Sequence, residues 1–307
     1  MKKQNKEETM KTKVFKIVIG LLLIIVGISL LVISYFMIAE IETKVPENIE
    51  NKYDLTVEKY LERNIFIVKS KNETKSNIKI LYFHGGSYMA EATKQHWEFI
   101  ENLVNDTGAT VILPDYPLTP KYNYKDVFNM VIPLYKEIQQ KINVNNELIL
   151  MGDSAGGGLA LALLESLTQE ENIVMPRKTI LISPWLDVRL NNSEIEKSQE
   201  KDKKLNKEAL KLSGIAYAGE DGINSYLVNP IDGDLSKLTN LTIFTGTNDI
   251  LNPDVHVLQE KAKQMDVRID VKEYENATHI WLIDKDCDQK IVEKSYQDLI
   301  STIKSNN

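Results

Sequence analysis

The chain has 307 residues, 43% of them hydrophobic and 26% charged, with a formal net charge of −7. That acidic balance, with no basic cluster beyond the N-terminus, argues against a nucleic-acid partner. Cys287 is the only cysteine, so no internal disulfide forms. The length suits one large α/β domain or two small ones.

Residues 1–16, MKKQNKEETMKTKVFK, read as a basic cytoplasmic tail. Residues 17–39, IVIGLLLIIVGISLLVISYFMIA, contain no charged residue. At roughly 1.5 Å per residue such a run spans a hydrocarbon core of about 30 Å, so a single transmembrane anchor is expected. Lysines precede it, and Glu40, Glu42, Glu47 and Glu50 follow it. This asymmetry predicts a cytoplasmic N-terminus and an extracytoplasmic remainder at the cell membrane. The alternative is secretion after signal cleavage. A signal core is usually about 7–15 residues long and ends in small residues, which fits this run less well.

Residues 40–60 are polar and read as a stalk and entry segment. From 61 to 307 short β-rich runs alternate with helical patterns. Strands are expected over 64–70, 77–86, 109–117, 147–152, 178–185, 241–249 and 267–275. Helices are expected over 96–108, 126–142, 154–169, 253–266 and 288–304. This alternation predicts a mostly parallel sheet with helices on both faces. Residues 189–225 break it with a Lys/Glu-rich stretch lacking any β run, the pattern either of a lid insertion over the carboxyl edge or of a solvated surface excursion.

The joint at 147–163, LILMGDSAGGGLALALL, places a serine between glycines where a strand passes into a helix. In that context Gly152-Asp153-Ser154-Ala155-Gly156 is a nucleophile elbow, with the Ser154 hydroxyl exposed above the sheet edge. The Ala155 N–H and the helix N-terminus would stabilise negative charge developing there. A serine needs a base. With Ser, acid, His as the chain order, the downstream histidines are His256, inside a helix, and His279, in a loop after a strand. His279 is preferred. Asp249, at the end of the preceding strand, is the candidate acid, with Asp254 and Asp187 as alternatives. A second oxyanion contribution is expected from Gly85 and Gly86 after an early strand, in a loop that His84 would orient.

These pieces resemble the hormone-sensitive-lipase-like esterases of the α/β-hydrolase fold. The match runs in order over roughly 60–305. It comprises His84-Gly85-Gly86, Asp115-Tyr116 with Pro120, Gly152-Asp153-Ser154-Ala155-Gly156-Gly157, Ser183-Pro184-Trp185 with Asp187, Asn229-Pro230, Gly246 with Asp249, and His279. The resemblance implies an α/β-hydrolase fold and a serine carboxylesterase without cofactor or metal. It implies Ser154 as nucleophile, Asp249 as acid, His279 as base, and Gly85, Gly86 and Ala155 as the oxyanion hole. It also implies a possible lid segment over 40–60. Departures fall at Ser87, where the family has a third glycine, and at Ile280-Trp281 after the histidine. Ser87, Tyr88 and Trp281 are therefore candidate pocket residues, and Trp281 beside the base would narrow the acyl site. Small to medium acyl esters, lipid esters among them, are the expected substrates. An amidase or peptidase with the same triad, or a catalytically silent binding module, are the alternatives. Oligomeric state is left open.

Overall fold

The computed structural model describes residues 43–72, 76–141 and 148–305, together with Val18, Leu21, Leu22, Ile24 and Gly27. The chain divides after residue 40 into two units. Apart from those five helical residues, the anchor expected over 17–39 lies outside the described residues. Among the described residues no helix is long and apolar enough to cross a membrane.

The second unit opens with helix α1 (Glu47–Lys52) and strand β1 (Tyr53–Tyr60). β1 pairs antiparallel with β2 (Arg63–Ser70) through a two-residue turn. Leu61 and Glu62 in that turn have φ of 45° and 63°, the twist a tight hairpin requires. The stalk expected over 40–60 thus gives way to a helix and an edge strand. The physical reason lies in YDLTVEKY. An edge strand has one neighbour, and here only Tyr53 is buried, so the sequence carries almost no apolar alternation to read.

Next come β3 (Lys79–Phe83), α2 (Lys94–Thr107), β4 (Thr110–Pro114), α3 (Tyr124–Lys141), β5 (Leu148–Asp153), α4 (Ser154–Leu167) and β6 (Lys178–Ile182). The polar stretch between β6 and β7 carries α5 (Ile195–Gln199) and α6 (Lys207–Ala218), followed by a 3₁₀ turn at Pro230–Asp232. The chain closes with β7 (Leu241–Asn248), α7 (Asn252–Gln264), β8 (Ile269–Thr278), α8 (Trp281–Asp284) and α9 (Gln289–Lys304).

The eight strands form one sheet in the order β1-β2-β4-β3-β5-β6-β7-β8. β1, β2 and β4 pair antiparallel, and every pairing from β4 through β3 to β8 is parallel. The central strands are apolar on both faces, as parallel strands under two helical layers must be. In β5, Leu148 and Leu150 join the cluster under α3 and α4, while Ile149 and Met151 join the one under α2 and α9. Because β3 and β5–β8 run the same way, their carboxyl ends share one edge. The loops carrying Gly85, Ser154, Asp249 and His279 all leave from it.

One buried group opposes folding. Glu165 on α4 is 1% exposed, and among the described residues neither of its carboxyl oxygens has a hydrogen-bond partner. Burial pushes its carboxyl from 4.5 up to about 9, although the Lys261 charge pulls the other way. The native state therefore holds a proton that the unfolded state releases, and stability falls as pH rises from about 4.5 to about 9. A Glu165→Gln variant removes that proton requirement. Its melting temperature should exceed the wild type's by about 5 °C at pH 8 and by much less at pH 5. Thermal unfolding at the two pH values checks this, and equal shifts at both would refute it.

Candidate active site

β5 delivers Ser154 into a tight joint. Its φ is 52°, a left-handed value that costs a non-glycine residue of order 1–3 kcal/mol. The flanking glycines follow from crowding. A Cβ on Gly152 would fall on the Gly156 carbonyl, and one on Gly156 would fall on the Phe83 carbonyl of the neighbouring strand. The Ser154 carbonyl accepts the Trp185 N–H at 2.8 Å, which ties the elbow to the segment after β6.

His279 follows β8 and is buried. Its Nε2 lies 2.9 Å from Ser154 Oγ and its Nδ1 lies 3.0 Å from Asp249 Oδ2. A carboxylate only accepts, so Nδ1 carries the proton and Nε2 is free to accept the serine proton. Burial by itself would lower the His279 pKa. The Asp249 charge and hydrogen bond outweigh it, and the imidazole is held above 6.5. Asp249 is fully buried, and its other oxygen accepts the Leu251 N–H at 2.8 Å.

The alternative acids and base sit elsewhere. Asp254 lies on α7 and accepts Asn192 Nδ2 at 2.9 Å, with burial pushing it up to about 6. Asp187 accepts from Arg189. His256 is half exposed on α7, beside Glu273.

The oxyanion loop shows one departure from expectation. The Gly85 N–H donates to Asp153 Oδ1 at 3.0 Å, so it is committed and does not face a substrate. Gly86 follows with φ of 117° and Ser87 with φ of 56°. Among the described residues no protein acceptor takes the N–H groups of Gly86, Ser87 or Ala155. Ser87 thus replaces Gly85 as a free donor. The loop is braced by His84, whose Nδ1 donates to the Gly85 carbonyl at 2.7 Å. Its ring stacks on Tyr116 at 4.6 Å, and the Tyr116 hydroxyl donates to the His84 carbonyl at 2.7 Å. Burial, then the neighbouring His96, lower His84 to about 4 and keep it neutral.

Two expected pocket residues are packing residues. Trp281 is fully buried in the cluster with α2 and α9, its Nε1 donating to Ser295 Oγ at 2.8 Å. It does not narrow an acyl site, because its indole turns into the core under the helices. Tyr88 is 1% exposed and stacks face to face on Tyr217 of α6, with ring centres 3.6 Å apart.

Sequence reasoning passed over Asp153, the variable position of the elbow motif. It is fully buried and accepts Tyr82 Oη at 2.6 Å, the Gly85 N–H, and His96 Nε2 at 3.3 Å. His96 Nδ1 accepts the Thr93 N–H at 3.0 Å, which leaves Nε2 as the donor. Burial would raise the Asp153 carboxyl, but its His96 and Tyr82 contacts outweigh that and hold it below 3.8. A charge inside an apolar joint must be paired, and that was the available signal.

The model of the alpha/beta hydrolase fold family matches residues 80–283. An esterase of Acinetobacter venetianus is 32% identical over 213 residues, covering 69% of this chain and 69% of its own. An acetyl-hydrolase of Streptomyces hygroscopicus is 26% identical over 202 residues, covering 66% of this chain and 67% of its own. Among solved structures, a hormone-sensitive lipase from a metagenome library superposes with a TM-score of 0.76 at 22% identity. That match covers 89% of this chain and 94% of that one.

An Asp153→Asn variant offers one acceptor oxygen where three donors converge, and it brings an N–H₂ group toward them. The Gly85 loop should shift, and kcat for p-nitrophenyl acetate should fall about tenfold, a fraction of what losing a whole oxyanion donor costs. Steady-state kinetics reads this directly, and an unchanged kcat would show that Asp153 does not hold the Gly85 loop in place.

Proposed function

Because the chain belongs to the alpha/beta hydrolase fold family and is a carboxylic ester hydrolase like its relatives, we propose a specific serine mechanism for it. Ser154, His279 and Asp249 form the catalytic triad of a hormone-sensitive-lipase-like carboxylesterase. The supporting observation is the unbroken hydrogen-bonded line from Ser154 Oγ through His279 to Asp249, at 2.9 and 3.0 Å.

Ser154 Oγ attacks the ester carbonyl carbon as His279 Nε2 takes its proton. Asp249 holds the Nδ1–H tautomer and stabilises the imidazolium that forms. The N–H groups of Gly86, Ser87 and Ala155 receive the developing oxyanion at the N-terminus of α4. Collapse expels the alcohol, which takes its proton from His279. Water then attacks the acyl-enzyme with His279 again as base, and the acid leaves.

Small to medium acyl groups are the favoured substrates. Ser154 is only 4% exposed, so its hydroxyl is reached through a narrow opening. The acetyl-hydrolase among the relatives agrees with this choice. Residues 17–39 serve as a membrane anchor, with the N-terminus cytoplasmic and the hydrolase unit outside. The uncharged run and the lysines preceding it support that assignment.

Purified full-length protein should hydrolyse p-nitrophenyl acetate and butyrate faster than the palmitate. Ser154→Ala and His279→Ala should each lose at least about 10³-fold in kcat/KM. A variant that retained wild-type turnover would sink the triad. The acid limb of kcat/KM against pH should fall above 6.5, because Asp249 holds the His279 pKa up and the base must be neutral to work. A limb below 6.5 would contradict that.

A further inference from the structure

The insertion between β6 and β7 reaches back to both loops that carry the acid and the base. Between α5 and α6 the chain turns at Asp202, which is 6% exposed although it lies in a lysine-rich stretch. One of its carboxylate oxygens accepts the N–H of Lys204 at 2.8 Å and that of Leu205 at 3.0 Å. The other leaves the insertion and accepts the N–H of Ile250 at 2.9 Å, the residue after Asp249. Two residues on, the Lys204 ammonium donates to the His279 carbonyl at 2.7 Å. The same ammonium pairs with Asp284 and Asp286 at 2.8 Å each. Gln199 closes the turn, donating to the Leu205 carbonyl at 2.8 Å and accepting the Lys207 N–H at 2.7 Å.

A solvated excursion has no need of such contacts. A carboxylate is costly to bury and is retained where donors converge on it. Here the donors come from two different segments, and one of those segments holds the triad acid.

We propose that Asp202 and Lys204 are positioning residues: the insertion clamps the Asp249 loop through one and the His279 loop through the other, and so fixes the acid–base spacing. This rests on the reading of Asp249 and His279 as acid and base. Neither residue touches the substrate. Each acts through a backbone group one bond from the triad: the Ile250 amide follows Asp249, and the carbonyl belongs to His279 itself.

The charges around His279 give the role a signature. Asp249 and Ser154 face the ring directly, Asp202 and Lys204 face it from the insertion, and Asp284 and Asp286 face Lys204. Burial lowers the imidazole pKa, and Asp249 raises it most strongly. Asp202 raises it further, while Lys204 lowers it. Removing each of the two insertion charges therefore moves the base in opposite directions. A staple that held the insertion without bearing on the base would neither lower kcat nor move the acid limb.

The test uses the full-length chain in detergent with p-nitrophenyl acetate, across pH 5 to 9. Asp202→Asn presents one acceptor where two opposed oxygens are used, and Lys204→Met removes the ammonium at similar volume. Each should lower kcat about tenfold with KM changed less than about twofold. The acid limb should move to lower pH in Asp202→Asn and to higher pH in Lys204→Met. Lys204→Arg, which still donates to the carbonyl and pairs with both aspartates, should restore most of kcat. Should Asp202→Asn fail to fold, the Lys204 pair decides, since that side chain sits at the rim with 21% exposure. If kcat and the limb stay at wild-type values, or both limbs shift the same way, the positioning role is overturned. A Ser154→Ala control separates the two readings. Activity surviving in it overturns the triad and this proposal together. Activity lost there but unmoved in the two positioning variants overturns the proposal alone.

Discussion

The structure depends on keeping one non-glycine residue in a left-handed conformation. Ser154 has φ of 52° between β5 and α4, and nothing in a serine favours that geometry. It persists because its surroundings over-determine it. β5 is buried along its whole length between β3 and β6. Every residue of α4 is buried as well. Fully burying one leucine-sized side chain offsets about 1.5–3 kcal/mol, so a few of them exceed the cost of the strained turn. Gly152 and Gly156 let the two elements approach until backbone meets backbone. The Trp185 N–H then fixes the Ser154 carbonyl from the next strand's loop. The serine hydroxyl is aimed by the sheet and not by its own rotamer alone.

Around that joint, buried carboxylates do the work of aligning loops. Asp153 draws in Gly85, Tyr82 and His96 from β3 and the start of α2. Asp249 takes His279 and the Leu251 amide. Asp202 takes the Ile250 amide together with its own turn. In each case the charge is met by donors from more than one segment, so neutralising it also fixes a distance between segments. Glu165 and Asp254 show the opposite outcome. Each leaves carboxyl oxygen without a hydrogen-bond partner among the described residues, and burial raises Glu165 to about 9 and Asp254 to about 6. The contrast separates carboxylates that organise the site from those the fold tolerates at a cost.

The parallel part of the sheet was legible in the sequence because strands apolar on both faces leave runs such as LILM and TVIL between helical patterns. That Ser154, Asp249 and His279 come together was legible for a related reason: a parallel sheet brings strand ends to one edge, so chain order predicts spatial neighbours. Legibility failed where meaning lay in contacts between distant segments. β1 reads as polar because an edge strand buries only one residue. Gly85 and Gly86 look equivalent in the sequence, and only the direction of one N–H toward Asp153 distinguishes them. Trp281 stands two residues after His279, yet the turn at Ile280, with φ of 46°, rotates the next side chain into the core. Asp202 and Lys204 looked like ordinary members of a charged loop, since nothing local marks a carboxylate that bonds 48 residues away.

The charges near His279 link the insertion between β6 and β7 to the proposed base. A general base works best when its pKa lies near the operating pH. Burial lowers the imidazole pKa, and Asp249 raises it. Asp202 and Lys204 add two charges of opposite sign whose effects on the ring oppose one another. What they share is geometric: two loops are tied to one turn. The rest of the insertion carries lysines and glutamates, while the short turn at 199–205 is bonded to the backbone of Ile250 and His279.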